Sequence, residues 1–115
     1  MKVNLLVIRS AKPKSLSEFY SILGLQFEYH QHGNGPIHYS ADVNGLIFEI
    51  YPLLRNQKEA DISTRLGFEV EDLNQIIQKI KNAGHEIVAE PKQMEWGFVA
   101  IVKDLEGRKI ELKQI

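Results

Sequence analysis

Apolar and polar residues follow two different periods along this chain, and glycines separate the segments. Residues 3–8 are β-branched and leucine-rich, which predicts a short strand. The next apolar positions recur every three or four residues and predict a helix over about 15–23, which Gly24 ends in the left-handed conformation. The buried side of this helix is expected to comprise Leu16, Phe19, Tyr20 and Leu23. The chain therefore begins as a strand followed by an amphipathic helix.

Three further strands are predicted in the first half, over residues 25–31, 37–42 and 46–51. The segment 33–36 combines glycine, asparagine and proline, which is typical of a turn. Asn44-Gly45 is the preferred dipeptide of a two-residue hairpin. The first half thus has the order β-α-β-β-β.

The second half repeats this order. Its helix is expected to run from Asp72 to Gly84, and its strands to cover 65–70, 85–89 (ended by Pro91), 96–102 and 109–113. Gly24 and Gly84 lie 60 positions apart, and Glu49 and Glu111 lie 62 apart. This nearly constant spacing indicates a duplicated module. Module one is predicted over about 1–53 and module two over about 64–115. The linker over about 54–63 is short and polar, so we expect the modules to join into one sheet.

Both helices carry the pattern of a capping box at their predicted start. Ser15 is followed by Glu18 three positions later, and Asp72 is followed by Gln75. In a capping box the first side chain accepts a hydrogen bond from the backbone N–H three residues on, and the second side chain reaches back. We therefore expect the helices to begin at these two residues.

Composition excludes several classes of function. The 115 residues suffice for one domain with its own core. There is no cysteine, which rules out disulfides, cysteine-based zinc sites, iron–sulfur clusters and a cysteine nucleophile. Fourteen basic and fifteen acidic residues give a formal net charge of -1, without the basic excess that nucleic acid or an anionic membrane requires. The first apolar run is too short for a signal peptide or a membrane span, so the expected location is the cytoplasm.

Three stretches, in order and inside the repeat, resemble the vicinal oxygen chelate superfamily, which includes glyoxalase I, bleomycin-resistance proteins and extradiol dioxygenases. Residues 17–25 (SEFYSILGL) resemble the family's first helix and its ending. Residues 66–73 (LGFEVEDL) resemble the strand that enters the second module, and residues 104–112 (DLEGRKIEL) are similar to the family's last turn and strand. The resemblance implies an α+β fold in which two β-α-β-β-β modules form a curved mixed sheet with a concave cleft.

The family's metal site takes one side chain from the start of each module and one from each module's last strand. Glu49 and Glu111 match the last-strand pair. The opening positions do not match, because the chain offers Asn4 (or Leu5, if the register slips by one) in module one and Arg65 in module two. A guanidinium only donates hydrogen bonds and cannot ligate a metal. This mismatch at the opening positions implies that no metal or other cofactor occupies the family's metal site.

Arg65 is then expected to neutralise the two glutamates, which would otherwise repel each other. Alternatively, Arg65 is simply exposed at a strand end. Glu49 and Glu111 are then solvated charges on half-buried strands. Trp96 stands at a strand opening, where an aromatic ring can wall a ligand pocket or cover the core.

Three histidines also lie near one predicted hairpin end. His30, His32 and His38 can together bind Zn²⁺ or Cu²⁺, although a polar hairpin tip is the favoured interpretation.

Three functions are compatible with the resemblance, because this fold hosts both enzymes and binding proteins. The first is a metal-independent small-molecule binder of the bleomycin-resistance type, acting as a homodimer without nucleic-acid or membrane partners. Its predicted ligand contacts are Asn4, Glu49, Arg65, Trp96 and Glu111. The alternative is a metal-dependent lyase or isomerase resembling glyoxalase I with a degenerate site, in which Glu111 and Glu49 are the catalytic candidates. A regulatory or immunity-type module without a small ligand is the third.

Overall fold

A computed structural model describes all residues, 1–115, and contains the β-α-β-β-β order twice. The first copy consists of β1 (Leu5–Ser10), α1 (Pro13–Ile22), β2 (Glu28–His30), β3 (His38–Val43) and β4 (Leu46–Pro52). The second consists of β5 (Leu66–Val70), α2 (Leu73–Asn82), β6 (Ile87–Met94), β7 (Gly97–Lys103) and β8 (Lys109–Gln114). The chain divides into two compact units, Met1–Asp61 and Ile62–Ile115, called module one and module two below. The predicted α+β class and module order are confirmed.

Each module forms its own four-stranded mixed sheet. The strand orders are β1-β4-β3-β2 and β5-β8-β7-β6. In both sheets the first and last strands of the module run parallel, with Leu5 opposite Ile47 and Leu66 opposite Ile110, and the other neighbours run antiparallel. This corrects the expectation that the modules share one sheet, because each copy completes its strand pairing with its own last strand.

The core of each module lies on the side of its sheet that faces the helix. In module one the ring of Tyr20 from α1 lies 5.1 Å from the ring of Phe48 on β4. Fully buried residues of module two are Leu73, Ile80, Val102, Ile110 and Leu112. Since successive strand residues point to opposite faces, Glu49 and Glu111 lie on the faces turned away from these cores.

The first helix begins earlier than its capping pattern predicts. Pro13 occupies the first turn, and the preceding Lys12 makes no side-chain capping bond. Ser10 Oγ instead accepts a hydrogen bond from the Lys12 N–H at 2.9 Å. The expected capping box at Ser15 is therefore wrong, because proline lacks an N–H and has a φ suited to the first helical position.

The second helix begins as predicted. Asp72 is the N-cap residue of α2, and its Oδ1 accepts a hydrogen bond from the Gln75 N–H at 3.1 Å. Both helices have ten residues, and neither is long and apolar enough to cross a membrane.

The strand β6 continues through Pro91, where the sequence pattern predicts its end. β6 is an edge strand, and its pairing with β7 shifts register between Ile87 and Ala89 and again between Ala89 and Lys92. Proline is tolerated at edges and bulges because its missing N–H is not needed for a ladder bond there. The predicted boundary at Ala89 was therefore wrong.

Candidate functional sites in the two modules

A cavity of about 230 Å³ lies on the sheet of module two. Cross-strand register places Ala89 opposite Ile101, and Ile101 opposite Glu111, so these three residues lie side by side on one face. The lining is mainly apolar and includes Ala89, Met94, Trp96, Val99, Ile101 and Glu111. The strand alternation therefore builds an apolar floor with one carboxylate in it.

Trp96 and Glu111 were both singled out from the sequence, and the structure brings them to the same cavity. Trp96 lies in the turn between β6 and β7 and is 55% exposed. Glu111 is half-buried, between the fully buried Ile110 and Leu112. The arrangement offers an aromatic ring and a negative charge to one ligand, which suits a flat molecule with a hydrogen-bond donor or a positive charge.

Two further charged residues, Glu90 and Lys92, line this cavity. Both are exposed, and Glu90 forms an ion pair with Lys81 of α2. Arg65 is not among the lining residues: it directly precedes β5 and is exposed. Its pairing with a glutamate stays a prediction.

Glu49 lies in module one beside a histidine. Its Oε2 atom is 3.3 Å from Nε2 of His38, and the two side chains are 15% and 2% exposed. The imidazole of His38 stacks on the ring of Tyr51, with centroids 4.2 Å apart and planes at 6°. Within its own module, Glu49 therefore faces a buried ring that the sequence pattern did not assign to it.

The opening strand of module one presents apolar residues next to Glu49. Val7 is directly opposite Glu49 and Leu5 is opposite Ile47, so both share its face. Asn4 precedes β1 and is exposed, and its carbonyl accepts a hydrogen bond from the Ile47 N–H at 2.9 Å. On this side of β1, Leu5 and Val7 offer no metal-ligating atom to Glu49.

The three histidines of the β2–β3 connection come together. Candidate ligand nitrogens of His30, His32 and His38 all lie within 4.8 Å of one another. His30 and His38 are register partners across the β2–β3 hairpin. The sequence indicates this pairing, because His30 and His38 each lie four residues from Asn34 in the turn.

A wider cavity of about 590 Å³ opens in module one next to these rings. His30 is part of its lining, together with Gln26, Phe27, Glu28, Ser40, Asp42 and Ile47. The histidine cluster is therefore reached from open space through His30.

Comparison with known proteins identifies relatives of this chain. A family model described as the Glyoxalase/Bleomycin resistance protein/Dioxygenase superfamily matches residues 2–112. The uncharacterized protein YetH of Bacillus subtilis (strain 168) is 35% identical over 65 residues, which cover 56% of this chain and 54% of that protein. The chain thus matches about half the length of this curated relative.

Solved structures share the fold at low sequence identity. A glyoxylase/bleomycin resistance protein/dioxygenase domain from Frankia sp. EAN1pec superposes with a TM-score of 0.80 at 14% identity, covering 99% of this chain and 97% of that one. TnmS3, an antibiotic binding protein from Streptomyces sp. CB03234, gives a TM-score of 0.74 at 20% identity, with 99% and 95% coverage. Because the family model spans nearly the whole sequence, this chain belongs to the glyoxalase/bleomycin resistance protein/dioxygenase superfamily.

Proposed function

We propose that this protein binds a small organic molecule in the module-two cavity, and that it does so without a metal ion at the family position. The observation that carries the proposal is the placement of Trp96 and Glu111 in one largely apolar cavity. Ligand pockets typically combine an apolar lining with a few polar groups that fix orientation. This cavity has both features.

The lining indicates the chemistry of the ligand. Met94, Val99 and Ile101 provide apolar contact, and Trp96 adds an aromatic face. Glu90 is engaged by Lys81, so Glu111 is the carboxylate that favours a cationic ligand, which Trp96 can also attract through its ring. Drug-sized ligands occupy pockets of about 300–1,000 Å³, so the 230 Å³ cavity fits a ring system rather than a whole drug-sized molecule. We expect an aromatic compound with a positively charged group.

Two observations support the metal-independent form of the proposal. In module one, Leu5 and Val7 stand on the face of β1 shared with Glu49, and hydrocarbon side chains cannot ligate a metal. In module two, Arg65 directly precedes β5, and its guanidinium has no free lone pair. Binding without catalysis also agrees with TnmS3, which is described as an antibiotic binding protein and has the same fold.

The chain provides its own optical probe for the test, because Trp96 is its only tryptophan. Fluorescence should change saturably when aromatic cations are titrated into the protein, and less with neutral or anionic compounds of the same ring system. Glu111→Gln should weaken binding of the cations by about tenfold, the equivalent of about 1.4 kcal/mol for one charge-assisted contact. Glu71→Gln is the matched control, since Glu71 is exposed and does not line the cavity.

Two outcomes would contradict the proposal. One is equal binding of the cations by the parent protein and by Glu111→Gln, which would place the ligand elsewhere. The other is a divalent metal that raises the Tm, with the effect lost in Glu111→Gln and retained in His32→Ala. That result would favour the alternative of a lyase or isomerase resembling glyoxalase I, whose metal needs Glu111.

The homodimeric state belongs to the same proposal, because clefts shared between chains are a feature of the bleomycin-resistance type that the sequence resembles. Sedimentation equilibrium of the full chain should give twice the monomer mass. A monomer that still binds the aromatic cation would separate ligand binding from dimer formation.

A further inference from the structure

We propose that His30, His32 and His38 form a binding site for a divalent first-row transition-metal ion, with Zn²⁺ as the probe. These residues lie on β2, in the turn after it and on β3. None of them occupies a position of the family's metal quartet. The inference concerns module one alone and does not depend on the ligand proposed for module two.

The first argument is distance. The three candidate ligand nitrogens lie within 4.8 Å of one another, and the ring centroids are 5.3 to 5.8 Å apart. Zinc–nitrogen bonds of about 2.0–2.1 Å place tetrahedral ligand atoms about 3.3 Å apart. Closing this gap requires side-chain rotation, for which the exposed His32 has room. Imidazole nitrogen is a preferred ligand for Zn²⁺, Cu²⁺ and Ni²⁺.

The second argument is the arrangement of hydrogen-bond acceptors around the rings. Nε2 of His30 lies 2.9 Å from Oε2 of Glu28, and Nδ1 of His38 lies 3.2 Å from the carbonyl oxygen of Pro36. Metal-binding histidines commonly donate their second ring N–H to a carboxylate or a backbone carbonyl, which fixes the tautomer and orients the ring. With these donations made, Nδ1 of His30 and Nε2 of His38 each retain a lone pair for a metal.

The third argument is the buried nitrogen of His38. Nε2 has no hydrogen-bond partner, although the side chain is only 2% exposed. Oε2 of Glu49 lies 3.3 Å from this nitrogen, but the angle does not allow a hydrogen bond. A lone pair facing a carboxylate in a buried site is unfavourable unless a positive charge lies next to both. A proton on Nε2 or a metal ion bound to it supplies that charge, and a metal ion is the one that also takes up lone pairs of the other two rings.

The turn between β2 and β3 brings the third ligand into place. Gly35 donates its backbone N–H to the carbonyl of His32 at 2.9 Å, which folds the chain back towards β3. His30 also lines the 590 Å³ cavity, so an ion can enter and water can occupy a fourth coordination position. The three side chains therefore meet at one site that an ion can enter.

The test uses the untagged full chain, freed of metal with a chelator. Titration with Zn²⁺ should show one ion per chain with a Kd in the micromolar range or below, and Zn²⁺ should raise the Tm by mass action. Co²⁺ should give the visible absorption bands of a nitrogen-ligated ion. His32→Ala should weaken Zn²⁺ binding at least tenfold, and because His32 is exposed this variant should keep its fold and its metal-free Tm. His85→Gln, at the fourth histidine of the chain, is the matched control and should bind Zn²⁺ like the parent.

Three results would overturn the inference. These are Zn²⁺ binding well below one ion per chain, equal affinity in His32→Ala and the parent, or an equal loss of affinity in His85→Gln. Glu111→Gln should leave Zn²⁺ binding unchanged, which distinguishes this site from a metal at the family position.

Discussion

Asp104 and Arg108 form a buried ion pair in the turn between β7 and β8, with Nη1 of Arg108 3.3 Å from Oδ2 of Asp104. The two side chains are 0% and 1% exposed. The second carboxylate oxygen, Oδ1, accepts hydrogen bonds of 2.9–3.0 Å from the backbone N–H groups of Glu106, Gly107 and Arg108. One carboxylate therefore closes the turn and neutralises a buried guanidinium.

Replacing this carboxylate should destabilise the folded protein. We expect Asp104→Ala to lower the free energy of unfolding by about 3–5 kcal/mol, because it removes the carboxylate that pairs with the buried Arg108 and accepts three backbone hydrogen bonds. Urea unfolding followed by circular dichroism measures the loss. Asp42 occupies the equivalent position in module one but is exposed, and its Oδ1 accepts one hydrogen bond, from Gly45 at 2.8 Å. Asp42→Ala should cost only about 1 kcal/mol, and equal losses at the two positions would contradict the buried-charge explanation.

The end of α2 depends on a glycine. Gly84 has a φ of +83°, and apart from its two chain neighbours no residue has an atom within 4 Å of the position that a Cβ would take. Gly84→Ala should therefore cost about 1 kcal/mol through backbone strain alone. Gly67→Ala is the control, since the only neighbour of its Cβ would be the Glu111 carbonyl oxygen at 3.8 Å. Chemical denaturation should show a clear loss at Gly84 and a change below about 0.5 kcal/mol at Gly67.

Arg65 is exposed, and this determines what its removal should do. Exposed ion pairs contribute little, so Arg65→Ala should change the free energy of unfolding by less than about 0.5 kcal/mol. Arg55→Ala, at another exposed arginine, should behave in the same way. A loss of about 1–3 kcal/mol confined to Arg65→Ala would instead show that this guanidinium neutralises a buried carboxylate.

Tyr39 should make stability sensitive to alkaline pH. Burial raises the pKa of Tyr39 above its usual value of 10.0, and the nearby Tyr29 and Glu18 raise it further. In the unfolded chain Tyr39 loses its proton near pH 10, whereas in the folded protein it keeps the proton to higher pH. Its contribution to stability is therefore fully present below about pH 10 and is lost as the pH rises through the raised pKa.

Ultraviolet titration of the phenol groups, combined with unfolding experiments on either side of pH 10, checks this behaviour. Tyr39→Phe should remove one late-titrating phenol and reduce the loss of stability above pH 10. Tyr29→Phe should bring the pKa of Tyr39 closer to its usual value, because it removes one of the two neighbouring ionisable groups that raise it. An unchanged Tyr39 titration in Tyr29→Phe would contradict the electrostatic contribution.

Features governed by local chemistry were predictable from the sequence. Asn44 and Gly45 have φ values of 52° and 91°, as a two-residue hairpin of this type requires. Asp72 caps α2 through the Gln75 N–H, as its spacing indicated. In these cases the interacting groups are close in sequence, so residue type and spacing are sufficient. The same spacing failed at Ser15 because Pro13 had already started the helix.

Features that depend on distant partners were not predictable. Arg108 is a charged residue in a turn, and nothing local indicates that it is almost fully buried. His38 is buried because Tyr51 on β4 stacks against it, and a single strand pattern contains no information about that neighbour. The pairing of Trp96 with Glu111 in one cavity likewise needs the register of β7 with β8. The resemblance supplied Glu111 as a candidate, the position at a strand opening supplied Trp96, and the register decided that they meet.

Two of the four strands that end the sheets, β2 and β6, are poorly suited to recruiting a strand from another molecule. β2 has only three residues, and β6 contains Pro91 and two shifts in register. A short or interrupted row of unpaired N–H and C=O groups is a poor template for edge-to-edge aggregation. We conclude that these irregularities protect the β2 and β6 edges from fibril-like association, and that straightening β6 by replacing Pro91 would increase this risk at its edge.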